Sequence, residues 1–235
     1  MKRLALSLAL FVGVVIVPPF AHAAISRGNT PVVSSFGASP ESATYTVASQ
    51  GLMYAWTYID QTSAVSNIGV TVNGTSMVSM GTILTPWTSL QKWTFFYLDN
   101  ATAGSKTVTL SWTGTANGEV IVASWSGGCL DVAGTPVGST ASTISMPLTT
   151  TGSADWMVAA MEDNSGNSPT GFTTAWGSGI FDSNGSVGAA GSHSLTWNLV
   201  NPYGGVGSPV ALMPCSVAST LLTPILALVR SWWIF

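Results

Sequence analysis

The chain has 235 residues, of which 46% are hydrophobic and only 6% charged, with ten tryptophans and a formal net charge of −3. Soluble domains usually carry about 25% charged residues, so Ser, Thr, Asn and Gly must supply the wettable surface. The apolar content excludes a disordered chain, and the few bases form no stripe that would attract nucleic acid.

The N-terminus opens with Met1-Lys2-Arg3, continues through an apolar run over residues 4–17 and reaches Ala21-His22-Ala23. A positive start, an apolar stretch and a small-x-small site describe a signal peptide over residues 1–23. The run stops at Pro18-Pro19, short of the ~20 residues a membrane span requires. The expected mature chain begins near Ala24 and retains Arg27, Lys92, Lys106 and Arg230 against nine acids, a formal −5. A secreted or cell-surface protein follows from this reading.

Period-two alternation then recurs along the body, as half-buried strands require. A first short strand falls at residues 45–48. Leu52, Tyr54, Trp56 and Tyr58 share one face of the next, and Ile68, Val70 and Val72 share a face up to Asn73-Gly74. That dipeptide predicts a two-residue hairpin turn, with the return strand over 75–80. Trp93, Phe95 and Tyr97 line another face; Val108, Leu110 and Trp112 line the next. Residues 120–123 are continuously apolar and read as a central strand covered on both sides. Further strands are expected at 143–148, 156–161, 195–199 and 210–213. Helical periodicity is missing from the body, so the fold class is all-β: an antiparallel, jelly-roll-like β-sandwich.

One motif occurs twice. Ala103-Gly104-Ser105-Lys106 followed by Thr109-Leu110-Ser111-Trp112 returns as Ala190-Gly191-Ser192-His193 followed by Ser194-Leu195-Thr196-Trp197. Each copy is preceded by an apolar strand (52–56, 156–160) and followed by another (120–125, 210–213). Two similar halves, about 51–129 and 154–215, are therefore expected within one sandwich domain over residues 24–215. The tail, 216–235, breaks the pattern with Leu221, Leu222, Ile225, Trp232, Trp233 and Phe235 interrupted by Pro224 and Arg230. Three readings stay open for it: a membrane-associating anchor, a segment packed on the sandwich or a partner, or a non-native end from a shifted reading frame.

Candidate chemistry is sparse. Cys129 and Cys215 each lie just beyond the last apolar strand of their half, so a disulfide between them competes with two unpaired thiols. Asp60, Glu162, Asp163 and Asn164 supply hard oxygen atoms at strand ends, where calcium could sit, although their spacing fits no calcium loop and solvated turns explain them as well. No other cofactor is expected. Trp87, Trp176 and Tyr203 stand in Pro- or Gly-rich segments and are the candidate ligand-binding platforms, since a ring can stack on a sugar face. Trp56, Trp93, Trp112, Trp125, Trp156 and Trp197 follow strand alternation and belong to the core. Only His193 remains to move protons, it occupies the place of Lys106 in the other repeat, and no Gly-x-Ser-x-Gly elbow occurs. A hydrolytic triad therefore lacks its parts. Glu119 and Glu162 could pair across a cleft as in a glycosidase, but nothing in their spacing recommends them, and a non-enzyme is expected.

Several segments together carry a resemblance: Val70-Thr71-Val72-Asn73-Gly74, the run 93–100 with Thr102 and Gly104, Thr107-Val108-Thr109-Leu110, and Ala123-Ser124-Trp125-Ser126-Gly127. With closing strands at Leu195-Thr196-Trp197 and Ala211-Leu212-Met213-Pro214, the chain is similar to exported bacterial, metagenomic-type β-sandwich domains of the jelly-roll or lectin-like kind. The resemblance implies that fold on exported, often surface, proteins and implies no catalytic residues. The tail and Gly128-Cys129 depart from it. The functional expectation is a non-catalytic secreted or cell-surface module for adhesion or envelope structure, with a glycan or a protein surface as partner. The alternative is a carbohydrate-binding module using loop aromatics, and the third is a viral or phage structural jelly roll, which the leader argues against.

Overall fold

A computed structural model describes residues 23–60, 64–86, 90–163, 173–176, 179–198 and 204–216, with 163 and 173–176 described in their backbone alone. Among them every regular element is a strand. In chain order these are β1 (Ser26–Arg27), β2 (Val32–Val33), β3 (Gly37–Ala38), β4 (Glu41–Val47), β5 (Gly51–Asp60), β6 (Ser66–Val72), β7 (Thr75–Ser76), β8 (Val78–Leu84), β9 (Gln91–Ala101) and β10 (Gly104–Thr113). There follow β11 (Asn117–Ser126), β12 (Gly128–Ala133), β13 (Val137–Ser139), β14 (Thr143–Thr150), β15 (Trp156–Asp163), β16 (Thr173–Trp176), β17 (Ile180–Asp182), β18 (Gly191–Asn198) and β19 (Gly205–Pro214).

All pairings are antiparallel. The first half builds an inner sheet ordered β1-β11-β5-β9-β8, with β2 and β3 also on β11, and an outer sheet β4-β10-β6-β7. The second half repeats the plan with an inner sheet β12-β19-β15-β17-β16, β13 joining β19, and an outer sheet β14-β18. Strand for strand the two inner sheets have the same order. The repeated motif supplies β10 and β18: Gly104 pairs with Val47 of β4, and Gly191 with Thr150 of β14. Among the described residues, nothing in the second half matches β6 and β7. In the first half the pairs β5–β11, β6–β10 and β8–β9 are nested along the chain, the pairing logic of a jelly roll.

The sequence suggested one interior; the described residues form three. Tyr45, Val70, Val108 and Leu110 of the first outer sheet meet Met53, Ala55, Phe96 and Val122 of the first inner sheet. The opposite face of that inner sheet, with Leu52, Tyr54, Trp56 and Trp125, packs on Val158, Ala160, Val210 and Leu212 of the second inner sheet. Met157, Ala159, Phe181 and Ala211, on the far side of the second inner sheet, are covered by Ile144, Met146, Leu195 and Trp197. Four layers are thus stacked outer, inner, inner, outer. Alternation explains the division, because successive residues of β5 and of β15 point into different cores. Each fully buried Leu, Val or Phe contributes roughly 1.5–3 kcal/mol. The tryptophans assigned to the core are buried, except Trp156, which is half-buried.

Two glycines make local demands. Asn73 and Gly74 have φ of 49° and 81°, as the hairpin turn between β6 and β7 requires. Gly127 (φ 70°) is the lone residue that carries the chain from β11 to β12, and a Cβ there would strike the carbonyl of Ala24.

The halves are also joined by polar bonds. The Asp182 carboxylate on β17, fully buried, accepts from Arg27 Nε at 2.8 Å and Nη2 at 2.7 Å, and from Trp125 Nε1 at 3.0 Å. The Tyr54 hydroxyl donates to the Ser208 carbonyl at 2.8 Å, and Leu130 N–H to Asp99 Oδ1 at 2.9 Å. A disulfide joins Cys129 and Cys215, whose Cα atoms are 4.9 Å apart. It ties β12 to the end of β19 across a sequence separation of 86.

Candidate binding surface

The first inner sheet extends one end of its apolar face to solvent, and there the side chains change character. Along β5 the face that carries Tyr54 and Trp56 continues with Tyr58 and Asp60, because residues two apart share a side. Register then fixes the neighbours. Tyr58 lies opposite Glu119 of β11 and Trp93 of β9, and Asp60 opposite Asn117 and Gln91. Directly opposed residues have Cβ atoms roughly 4.5–5.5 Å apart, so aromatic rings, carboxylates and an amide are held within one patch.

The rings form a row. Tyr58 and Trp93 have centroids 5.1 Å apart at 40°, and Phe36 stacks on Tyr58 at 5.6 Å and 24°. Phe36 is placed by β3, whose Gly37 and Ala38 pair with Gly118 and Asn117. Trp93 is buried, Tyr58 half-buried, and Phe36 is 47% exposed. The row thus steps from core to solvent. Gln91 Nε2 donates to the Tyr58 hydroxyl at 3.0 Å, which fixes that ring's outer edge.

The charge around the row is negative. Burial is the main cause holding the Tyr58 hydroxyl above the ordinary tyrosine value; the charges of Asp60, Glu119 and Glu162 add to it, while the Gln91 bond opposes. Burial also pushes the Glu119 carboxyl up. Lys92 points to the other face of the sheet, where its Nζ bonds the Val65 carbonyl. Chemically the patch offers aromatic area, carboxylate acceptors and an amide. Those groups suit hydroxyl-rich or cationic ligands.

The expected site residues fall as follows. Trp87 and Tyr203 lie outside the described residues. Trp176, expected in an irregular segment, is the last residue of β16 and pairs with Ile180; only its backbone is described. Asp60 belongs to this patch by register, and the charge of Glu162 adds to the rise of the Tyr58 hydroxyl. The Asp163 side chain and Asn164 lie outside the described residues. Among the described residues no three His, Cys, Asp or Glu side chains converge on one point. His193 sits on β18 with its ring 3.1 Å from the Ala189 carbonyl.

Phe36 escaped the sequence reading, because a lone aromatic in Ser-Ser-Phe-Gly shows no alternation and two-residue strands leave no pattern. Tyr58 was read as sharing a face with Leu52, Tyr54 and Trp56, all three of which are buried. The one available signal was Asp60, whose charge on that same face marks where burial ends. No protein-family model, curated protein or solved structure matches this chain.

Proposed function

We propose that this chain is an exported, non-catalytic β-sandwich module of the cell surface or extracellular space, acting in adhesion by holding carbohydrate on the Phe36–Tyr58 row. One observation carries the reading: a half-exposed ring stacked on a second ring, with Glu119, Asp60 and Gln91 beside it. Rings of this kind take the apolar face of a pyranose, while carboxylate and amide groups pair with its hydroxyls. Export is supported by the N-terminal charge and apolar pattern and by the disulfide, a bond that persists in oxidising compartments. The resemblance to lectin-like exported sandwiches points the same way.

A second reading, a structural envelope module that contacts protein, is favoured by β8. This strand edges the first inner sheet and leaves Val78 50% and Leu84 45% exposed, and an apolar edge invites a partner.

A glycan array and a pull-down on insoluble polysaccharides separate the two. The saccharide reading expects retention of the full chain on at least one glycan and roughly tenfold weaker retention for Phe36→Ala, equivalent to about 1.4 kcal/mol, with an unchanged melting midpoint. Retention on none removes it and leaves the protein-contact reading.

A further inference from the structure

At the end of the second inner sheet remote from Glu162, two carboxylates bond neighbouring backbone groups of one turn. The first is set by a bulge. Leu130 and Val132 of β12 pair with Leu212 and Ala211, consecutive residues of β19, so Asp131 is the extra residue between them. A bulge re-aims its side chain, here toward the β14–β15 connection. The Asp131 carboxylate accepts the Thr151 N–H at 2.8 Å and also the Thr151 hydroxyl.

The second carboxylate belongs to that connection. Asp155 is 1% exposed and takes the Gly152 N–H on Oδ2 at 2.7 Å. Its Oδ1 is buried and has no hydrogen-bond partner. The N–H groups that hold the two carboxylates belong to consecutive residues, Thr151 and Gly152, so the two carboxylates lie side by side.

Two neighbouring carboxylates, one of them buried, repel each other, and a cation between them relieves that repulsion. The backbone N–H groups of Thr151 and Gly152 each bond one of the carboxylates. Side-chain cations of the described residues are committed elsewhere: Arg27 to Asp182, Lys92 to the Val65 carbonyl and Lys106 to Thr102 Oγ1. With those side chains engaged elsewhere, the pair is open to a cation from solution.

We propose that Asp131 and Asp155 hold a hard divalent cation, calcium, with Asp155 Oδ1 as the buried ligand and Asp131 closing on it from the bulge. Calcium takes oxygen ligands in flexible geometry, and water completes the coordination on the half-exposed Asp131 side. Bound there, the ion fastens the edge strand β12 to the turn that feeds β15. With two carboxylates the affinity belongs to the range of extracellular modules, about 10⁻⁴–10⁻³ M.

The test is calorimetric titration of calcium chloride into the EDTA-stripped full chain, disulfide intact, and into Asp155→Asn and Asp131→Asn, each checked for fold by near-ultraviolet circular dichroism. The expected result is one calcium per chain for the wild type and at least tenfold weaker binding in both variants. Calcium at 10 mM should also raise the wild-type melting midpoint by about 3–10 °C and leave the variants unmoved. No heat and no shift up to 10 mM overturns the assignment and leaves a shared proton as the explanation of the pair. Undiminished binding in either folded variant also overturns it, because the ion then sits elsewhere. If Asp155→Asn does not fold, Asp131→Asn decides alone.

Discussion

Asp182→Asn probes the joint between the halves. The carboxylate is fully buried and accepts from Arg27, Trp125 and the Asn184 N–H, the last at 3.0 Å. Asparagine preserves the shape, removes the charge and turns one acceptor oxygen into an amide donor that faces other donors. Breaking a buried pair by removing one partner costs about 3–5 kcal/mol, and the Arg27 side chain, 29% exposed, is partly relieved by water. The loss should therefore fall near the lower end, about 3 kcal/mol, out of a total of about 5–15 kcal/mol. For a body of this size that lowers the melting midpoint by roughly 6–12 °C. Guanidinium unfolding followed by tryptophan fluorescence, with the thermal transition followed by far-ultraviolet circular dichroism, gives both numbers. Arg27→Met should cost a similar amount, and the double variant Arg27→Met with Asp182→Leu less than the Arg27→Met and Asp182→Leu singles combined, since an apolar pair leaves no orphaned charge. A loss below about 1 kcal/mol for Asp182→Asn, or strict additivity in the cycle, refutes this reasoning.

Three further outcomes follow from the same structure. Replacing Cys129 and Cys215 by alanine frees a loop with a sequence separation of 86, which chain entropy values at about 4–5 kcal/mol; a midpoint insensitive to reductant contradicts it. Tyr54→Phe removes the buried bond to Ser208 and should cost about 1 kcal/mol. Burial holds the Tyr54 hydroxyl far above the ordinary tyrosine range, so wild-type stability should fall as pH rises past about 10 and the variant's less steeply. Burial also raises the Glu119 carboxyl, so the stability linked to its proton is present below the ordinary glutamate value, about pH 4, and is lost as pH rises through the shifted one. Glu119→Gln should flatten that slope and gain a fraction of a kcal/mol at pH 7, discounted because the group is partly exposed; equal slopes in urea midpoints across pH 4–7 count against it.

The fold class was legible because β10 and β18 alternate cleanly, with Leu110 and Trp112, or Leu195 and Trp197, facing inward and hydroxyl residues outward. Those are the outer sheets, where one face meets water. Of the inner sheets, residues 120–123 of β11 showed in their continuous apolar run a strand covered on both faces, and the other strands did not. In β5 the residues that alternate with Leu52, Tyr54, Trp56 and Tyr58 are Met53, Ala55 and Thr57, all buried, and β19 opens with Gly205, Val206, Gly207, Ser208 and Pro209, equally buried. Small and weakly polar residues there permit close layer packing and look like ordinary loop composition in sequence. A second buried face on each inner sheet turns one expected interior into three.

The site was less legible for a related reason. Phe36, Glu119 and Gln91 meet only through register across four strands, and Asp131 reaches Thr151 of the β14–β15 connection only because β12 bulges. Neither register nor a bulge leaves a local sequence signal. The cysteine pair was the exception, since equivalent positions after β11 and β19 placed both residues at the same edge.

The most direct test of the functional account is a titration of the full chain with the soluble oligosaccharide that the array selects, run beside Phe36→Ala and Phe36→Trp. A binding surface centred on the Phe36–Tyr58 row requires saturable wild-type binding, loss in the alanine variant and retention or strengthening in the tryptophan variant, whose larger ring offers more stacking area. Equal affinity in all three contradicts the account.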